Sequence, residues 1–270
     1  MNGRTFWALI LILAGVAFLL ENFGVLPGNA WDVIWPLVLI ALGLSFIIGK
    51  PPGPPPTRRE PSVDALALDE AKSARITISH GGGRLLVTGG ARSDQLYAGR
   101  FAGAVARNVH RVGDQLDVTL RPDPGQWQGW SDPRNWGGSQ GMLDWTIAFN
   151  ETIPLTLSFE TGAAKTDLDL SKLRVIELKL QTGVSATTVV LPASAGATRA
   201  TIQAGVASVH LSIPDGVAAR IVGQMGLGAL NVDQRRFPRN GKIYESADYT
   251  SATNRLDLNI EGGLGAIDVG

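Results

Sequence analysis

The sequence predicts an all-β soluble domain, built as a stacked β-repeat of solenoid type, behind an α-helical transmembrane hairpin. One observation behind this is a recurring pattern: a Gly, a small or apolar residue, about four mixed residues, then alternating apolar positions. It stands as Gly162-Ala163 leading to Leu168 and Leu170, Gly183-Val184 leading to Val189 and Leu191, and Gly205-Val206 leading to Val209 and Leu211. Gly226-Leu227-Gly228-Ala229-Leu230-Asn231-Val232 follows, and Gly263-Leu264-Gly265-Ala266-Ile267-Asp268-Val269 nearly copies it. The repeat glycines Gly162, Gly183, Gly205, Gly226 and Gly263, expected where the chain turns between strands, are 21, 22, 21 and 37 residues apart, so the last interval holds an insertion. A step near 20 residues with period-2 alternation marks stacked β-units, each burying its apolar face against its neighbours. The expected columns place Val189, Leu211, Val232 and Val269 in the core. The other observation is at the opposite end, where Phe6 to Leu20 carries no charge.

Fifteen residues of helix cover about 22 Å of a hydrocarbon core roughly 30 Å thick. Extension to Leu26 reaches about 31 Å, which places Glu21 and Asn22 near the interface. A second apolar run, Val33 to Ile48, is interrupted only by Pro36, which the first turn of a helix tolerates. Trp7, Trp31 and Trp35 suit an aromatic belt. No small-residue cleavage site follows the first run, and a second apolar run comes within a dozen residues, which argues against a signal peptide. Arg4 precedes the hairpin, and Lys50, Arg58 and Arg59 follow it, while Glu21 to Asp32 has no basic residue. The positive-inside rule therefore places both ends in the cytoplasm. The expected location is the cell membrane, multi-pass, with a cytoplasmic β-domain and the lipid bilayer as one partner.

The expected domains are a transmembrane hairpin over 1–50, a Pro-rich linker over 51–62, an N-terminal β region over 63–150 and the β-repeat over 151–270. Pro51-Pro52-Gly53-Pro54-Pro55-Pro56 reads as a polyproline II spacer. One helical turn is expected around Val63 to Ala71. Strands follow at Arg75 to Ser79, at Leu85 to Val87 as a degenerate first rung, and at Leu116 to Leu120, with Pro154 marking an edge or strand start.

Formal charge balances at 24 basic and 24 acidic residues, which leaves no electrostatic footprint for nucleic acid. With no cysteine and only His80, His110 and His210, widely spaced, no metal site is expected. No cofactor is expected either, because no helix follows Gly226-Leu227-Gly228 to receive a pyrophosphate. His80-Gly81-Gly82-Gly83 and Gly137-Gly138-Ser139-Gln140-Gly141 match the oxyanion-loop and nucleophile-elbow patterns of esterases. An elbow needs a strand before the serine and a helix after it, and neither is signalled here, so no enzymatic activity is expected. Asp167 and Asp169 share one strand face opposite Leu168 and Leu170, which reads as a solvated face. Asp123 to Trp145 gathers Trp127, Trp130, Trp136 and Trp145 among Pro, Gly and Gln. Tryptophans in a long loop fit a cap over a sheet end, a surface for a partner or glycan-type ligand, or a disordered segment. The excursion Asp233 to Asn254, with Arg235, Arg236, Arg239 and Lys242, reads as a basic solvated loop.

Phe6-Trp7-Ala8, Gly15-Val16, Leu19-Leu20-Glu21-Asn22, Trp35-Pro36-Leu37 and Leu42-Gly43-Leu44 together resemble the membrane hairpin of LiaI/LiaF-type proteins. The Gly-Val and Gly-Leu-Gly rungs, with Asp248 to Ala252 and Gly263 to Ile267, resemble the toast-rack β-domain of LiaF-like, cell-wall-active-antibiotic-response proteins. That resemblance implies a membrane-anchored accessory or regulator of envelope stress that works through protein contacts. The partner class it implies is a membrane histidine kinase or another membrane protein. A structural or ligand-binding envelope protein, whose Trp-rich loop meets glycan or lipid, is the alternative. Nothing in the sequence fixes an oligomeric state.

Overall fold

The computed structural model describes residues 61–123 and 143–270, all within a unit spanning Arg58–Gly270. The hairpin over 6–48 and the Pro-rich spacer lie outside the described residues. Among the described residues no helix is long and apolar enough to cross a membrane.

Six long strands form the body: β2 (Ser73–Gly89), β7 (Leu155–Asp169), β8 (Val175–Val190), β9 (Ala197–Ser212), β10 (Ala218–Val232) and β13 (Arg255–Val269). They pair in parallel in the order β2-β7-β8-β9-β13-β10, nearly in register over their whole length. Five residues between β7 and β8 suffice for the chain to return to the start of the next rung, where Leu155 N–H donates to Arg174 O at 2.9 Å. A straight strand of this length would leave its ends about 50 Å apart, so each rung must fold back on itself. Each strand therefore supplies two walls, with the core between them.

The side chains record the bend as a change of parity. In β7 the buried positions are Leu155, Leu157, Phe159 and Thr161, then Ala164, Thr166 and Leu168. The alternation slips by one residue at Gly162-Ala163. Without that slip the second wall would turn its apolar face to solvent. The same slip follows His80 in β2, Thr182 in β8, Ala204 in β9 and Gly262 in β13. Buried residues then stack in columns, such as Ile76–Leu157–Leu178–Ala200–Leu258–Ile221. Leu168, Val189, Leu211 and Val269 form another, and Val232 ends it only half-buried.

Shorter strands close the stack. At the β2 end, β5 (Gln115–Pro122) pairs with the first half of β2 and carries β4 (Val105–Val112) on its far side. β6 (Trp145–Phe149) pairs with the second half of β2, followed outward by β3 (Gln95–Phe101) and β1 (Ser62–Ala67). β1 replaces the helical turn expected around Val63 to Ala71: its backbone pairs with β3, and Asp69 and Glu70 take positive φ values of 48° and 59°, which ends any regular helix there. At the other end, β12 (Ile243–Glu245) pairs with Arg220 to Val222 of β10, and β11 (Arg239–Asn240) pairs with β12. The excursion Asp233 to Asn254 is thus a packed cap rather than a solvated loop. Phe237 is buried beneath it, and the Arg236 guanidinium donates to Ile213 O and Pro214 O at 2.7 and 3.1 Å.

The rungs do not stack in chain order. β13 lies between β9 and β10, so the longer last interval carries the cap around the outside of β10 before the chain returns on its inner side. β2 is a full first rung, and one sheet and one core run across residue 150.

Candidate functional site: the corner groove and its apolar ridge

At the bend, three columns run across the rungs. The middle one is glycine: Gly81, Gly162, Gly183, Gly205, Gly263 and Gly226, so the repeat glycines of the sequence lie in one ladder. A Cβ on Gly183 would stand 3.2 Å from Gly162 O, one on Gly205 2.9 Å from Gly183 O, and one on Gly263 2.7 Å from Gly205 O. At Gly226 the distance to Gly263 O would be 3.1 Å, and at Gly162 a Cβ would collide with Gly81 O. These glycines have no positive φ; the five from Gly162 to Gly263 are needed because a neighbouring rung's carbonyl occupies the space of a side chain. They lie inside continuous strands, whereas the sequence suggested turns between strands.

On one side of the glycines, Ser79, Glu160, Gln181, Gln203, Glu261 and Gln224 stand in register. Ser79 Oγ donates to Glu160 Oε2 at 3.0 Å. Gln181 Nε2 donates to Gln203 Oε1 at 2.6 Å, and Gln203 Nε2 to Glu261 Oε2 at 2.9 Å. These side chains edge an open groove of about 1070 Å³ whose floor is the glycine backbone.

On the other side the column is apolar and faces solvent: Val184, Val206, Leu264 and Leu227 are 64, 52, 51 and 77% exposed. They are neighbours in register, so they make one ridge rather than scattered surface residues. A contiguous apolar strip of this kind differs from the singly scattered apolar residues of an ordinary protein surface.

The residues singled out for chemistry are placed otherwise. His80 is buried, with Nε2 2.6 Å from Leu143 O and its ring edge-on to Trp145 at 5.2 Å. Burial depresses its basicity, against smaller opposing effects of the Leu143 carbonyl and Asp144, so the ring is neutral at pH 7. A neutral ring with Nε2 beside a carbonyl carries its proton on Nε2 and donates it to Leu143 O. Gly81 to Gly83 are the bend of the first rung, and at Gly83 φ is +99° with Leu143 O in the way of any Cβ. Ser139 lies outside the described residues. His110 and His210 are exposed on β4 and β9, and among the described residues no cluster of three His, Cys, Asp or Glu could hold a metal.

Trp145 is not a surface residue. It is 1% exposed in β6, edge-on to Phe101 at 5.1 Å, because its pairing with Leu85 and Phe101 directs the ring into the core. Trp127, Trp130 and Trp136 lie outside the described residues. What sequence reading missed is the ridge: Val184, Val206, Leu227 and Leu264 each follow a ladder glycine, where the parity slip turns an apolar residue outward.

No curated protein matches the chain. A crystal structure described as a candidate cell-adhesion protein from Clostridium sporogenes has the same fold, with a TM-score of 0.67 at 23% identity, covering 78% of this chain and 98% of that one. A candidate adhesin structure from Bacteroides fragilis covers the same shares at 8% identity, with a TM-score of 0.25 that carries no argument. A LiaI-LiaF-like transmembrane region matches residues 5–47, and the N-terminal domain of toast_rack, DUF2154, matches residues 55–212. With more than half its length matched by that second family and the membrane region preceding it, the chain belongs to the toast_rack family and is a LiaF-like protein, a transmembrane region joined to a toast-rack domain.

Proposed function

We propose that this protein is a non-enzymatic accessory or regulator of the envelope-stress response, acting through protein contacts made along the ridge Val184–Val206–Leu264–Leu227. A LiaF-like transmembrane region with a toast-rack domain fits a membrane-associated envelope-stress protein. The observation that carries the finer reading is the ridge itself, since a solvated apolar strip held on a rigid stack suits a protein partner. The partner class is a membrane histidine kinase or another membrane protein. The domain is multi-pass tethered and cytoplasmic, on the Lys and Arg placement around the hairpin.

Two measurements test this. Alkaline phosphatase fused at Gly270 should be inactive and at Gly28 active; high activity at Gly270 refutes the cytoplasmic placement. Replacing Val206 and Leu264 by Ser should alter the transcriptional response of cells to a cell-wall antibiotic while leaving protein abundance unchanged. An unaltered response removes the ridge from the mechanism. The alternative, a structural or ligand-binding envelope protein that meets glycan or lipid, draws on the amide and carboxylate ladder Gln181–Gln203–Glu261 beside the groove. It predicts an external domain.

A further inference from the structure

The stack has two ends and each end has two walls, so four half-edges need covering. Three are covered among the described residues: β5 and β6 close the two halves of β2, and β12 closes the first half of β10. The fourth, β10 from Gly223 to Val232, pairs among the described residues only with β13, and none of them covers its other edge. The core is open at the same place. Leu230 and Val232 are half-buried, whereas their register partners Ile267 and Val269 are buried. Stacked repeats require a cap at each terminal unit, and natural sheets guard a free edge with charge, proline or a bulge. The ten residues from Gly223 to Val232 contain no charge and no proline.

We infer that this half-edge is a homodimer interface, in which β10 pairs antiparallel with β10 of a second copy about a two-fold axis near Ala229. The partner must offer a free edge. Head-to-tail stacking on β2 is ruled out because both its halves are already paired, and the outer strand β4 at that end carries Arg107, His110 and Arg111, the kind of charge that guards an edge. An isologous contact needs only the open edge itself, and its self-pairing uncharged segment creates no like-charge clash. For the outer face of one wall to continue into the outer face of the other, residues of equal parity must stand opposite each other. Pairing Ala229 with Ala229 of the second copy meets this condition and sets Leu227 opposite Asn231. It also sets the half-buried Leu230 of each copy diagonally beside that of the other over the open core end. The segment 124–142 is a poor occupant, because both its attachments, Asp123 and Leu143, lie at the β2 end. Five rungs at about 4.8 Å put β10 roughly 24 Å away. Nineteen residues, even fully extended, would use most of their reach going there and back.

The inference shares Leu227 with the ridge but does not rest on the regulatory reading, since it concerns backbone pairing along β10. The test uses the full chain in mild detergent, which contains no cysteine of its own. Light scattering should give a dimer mass, and Ala229→Cys should form an intermolecular disulfide in high yield, because directly paired Cα atoms lie within disulfide range. Arg111→Cys, on exposed β4 at the other end, should not. The double variant Ala229→Lys, Asn231→Lys alters exposed side chains and should give monomer with unchanged strand content. Should that variant fail to fold, the relative disulfide yields of the two cysteine variants decide. A wild-type monomer, equal cross-linking at both positions, or a dimer that survives the lysines overturns the inference. So does slow amide exchange of residues 227–232 in a monomer, which would mean that another segment covers the edge.

Discussion

Ala164 stands directly opposite Ser185 on the adjacent rung, and the hydroxyl that separates them decides whether two buried threonines are satisfied. In β8, Thr182 Oγ1 donates to Ser185 Oγ at 2.5 Å, and Ser185 Oγ lies 3.1 Å from Thr187 Oγ1. In β7 the equivalent threonines, Thr161 and Thr166, have buried hydroxyls without a hydrogen-bond partner among the described residues. Ala164 is where the bridge would be.

Ala164→Ser should therefore stabilise the protein by about 1 kcal/mol, the net worth of a recovered buried hydrogen bond. Ser185→Ala should cost about 1–3 kcal/mol, because it leaves Thr182 and Thr187 as Thr161 and Thr166 now are. Thermal unfolding of the full chain in detergent, followed by the strand signal, gives both signs. Ala164→Ser leaving the midpoint unchanged would mean that ordered water already fills the bridge position.

Gly205→Ala tests the ladder. The new Cβ would face Gly183 O at 2.9 Å, backbone that cannot step aside without moving a rung. A loss of about 1–3 kcal/mol is expected from overpacking. Gly270→Ala meets nothing within 4 Å and should be neutral. Because rungs lean on their nearest neighbours, amide exchange should quicken first in β8 and β13. Equal midpoints for the two variants would contradict the close-approach account.

The parity slip explains both what could be read in the chain and what could not. The glycine step, the alternation and the columns through Val189 and Leu211 follow from local pattern, which a periodic backbone imposes on its sequence. Odd-numbered Leu155 and Leu157 giving way to even-numbered Leu168 and Leu170 also records the bend, but only once one strand is taken to make both walls. The position of β13 was not legible, because Gly226 to Val232 and Gly263 to Val269 are near copies and either could follow β9. Phe237 beneath the cap was hidden by the basic residues around it. Trp145 was drawn into the Trp-rich segment by composition, although its own neighbours, Thr146 to Phe149, alternate as a strand.

His80 gives a pH dependence with a definite sign. Burial lowers its folded-state pKa below the ordinary 6.5, so unfolding takes up a proton. The stability this neutral ring contributes is complete above about pH 6.5 and is lost as the pH falls through the depressed folded value. His80→Gln should flatten the slope of stability against pH below 6.5, a slope that one proton limits to about 1.4 kcal/mol per pH unit. Urea titrations of both proteins between pH 7.5 and 5 provide the comparison, and identical slopes would assign the effect elsewhere.

Trp145→Ala should cost about 3–5 kcal/mol, the range for emptying a large core site, since the ring fills the space between His80 and Phe101. Trp145→Phe should recover most of it, and gain a little from removing the Nε1 donor, which has no partner among the described residues. A Trp145→Ala protein as stable as the parent would return this residue to the surface.

Placing β13 between β9 and β10 gives synthesis an unusual timetable. After β2, the rungs β7, β8 and β9 can each dock on the rung made just before them as the chain emerges. β10 is made next, yet its only long neighbour is β13, translated more than twenty residues later. Until then β9 and β10 each present a bare parallel edge, and growth of the stack halts with two rungs owed. β13 then settles both at once, as a keystone does, so a chain truncated before it leaves β10 as well as β9 without that long partner.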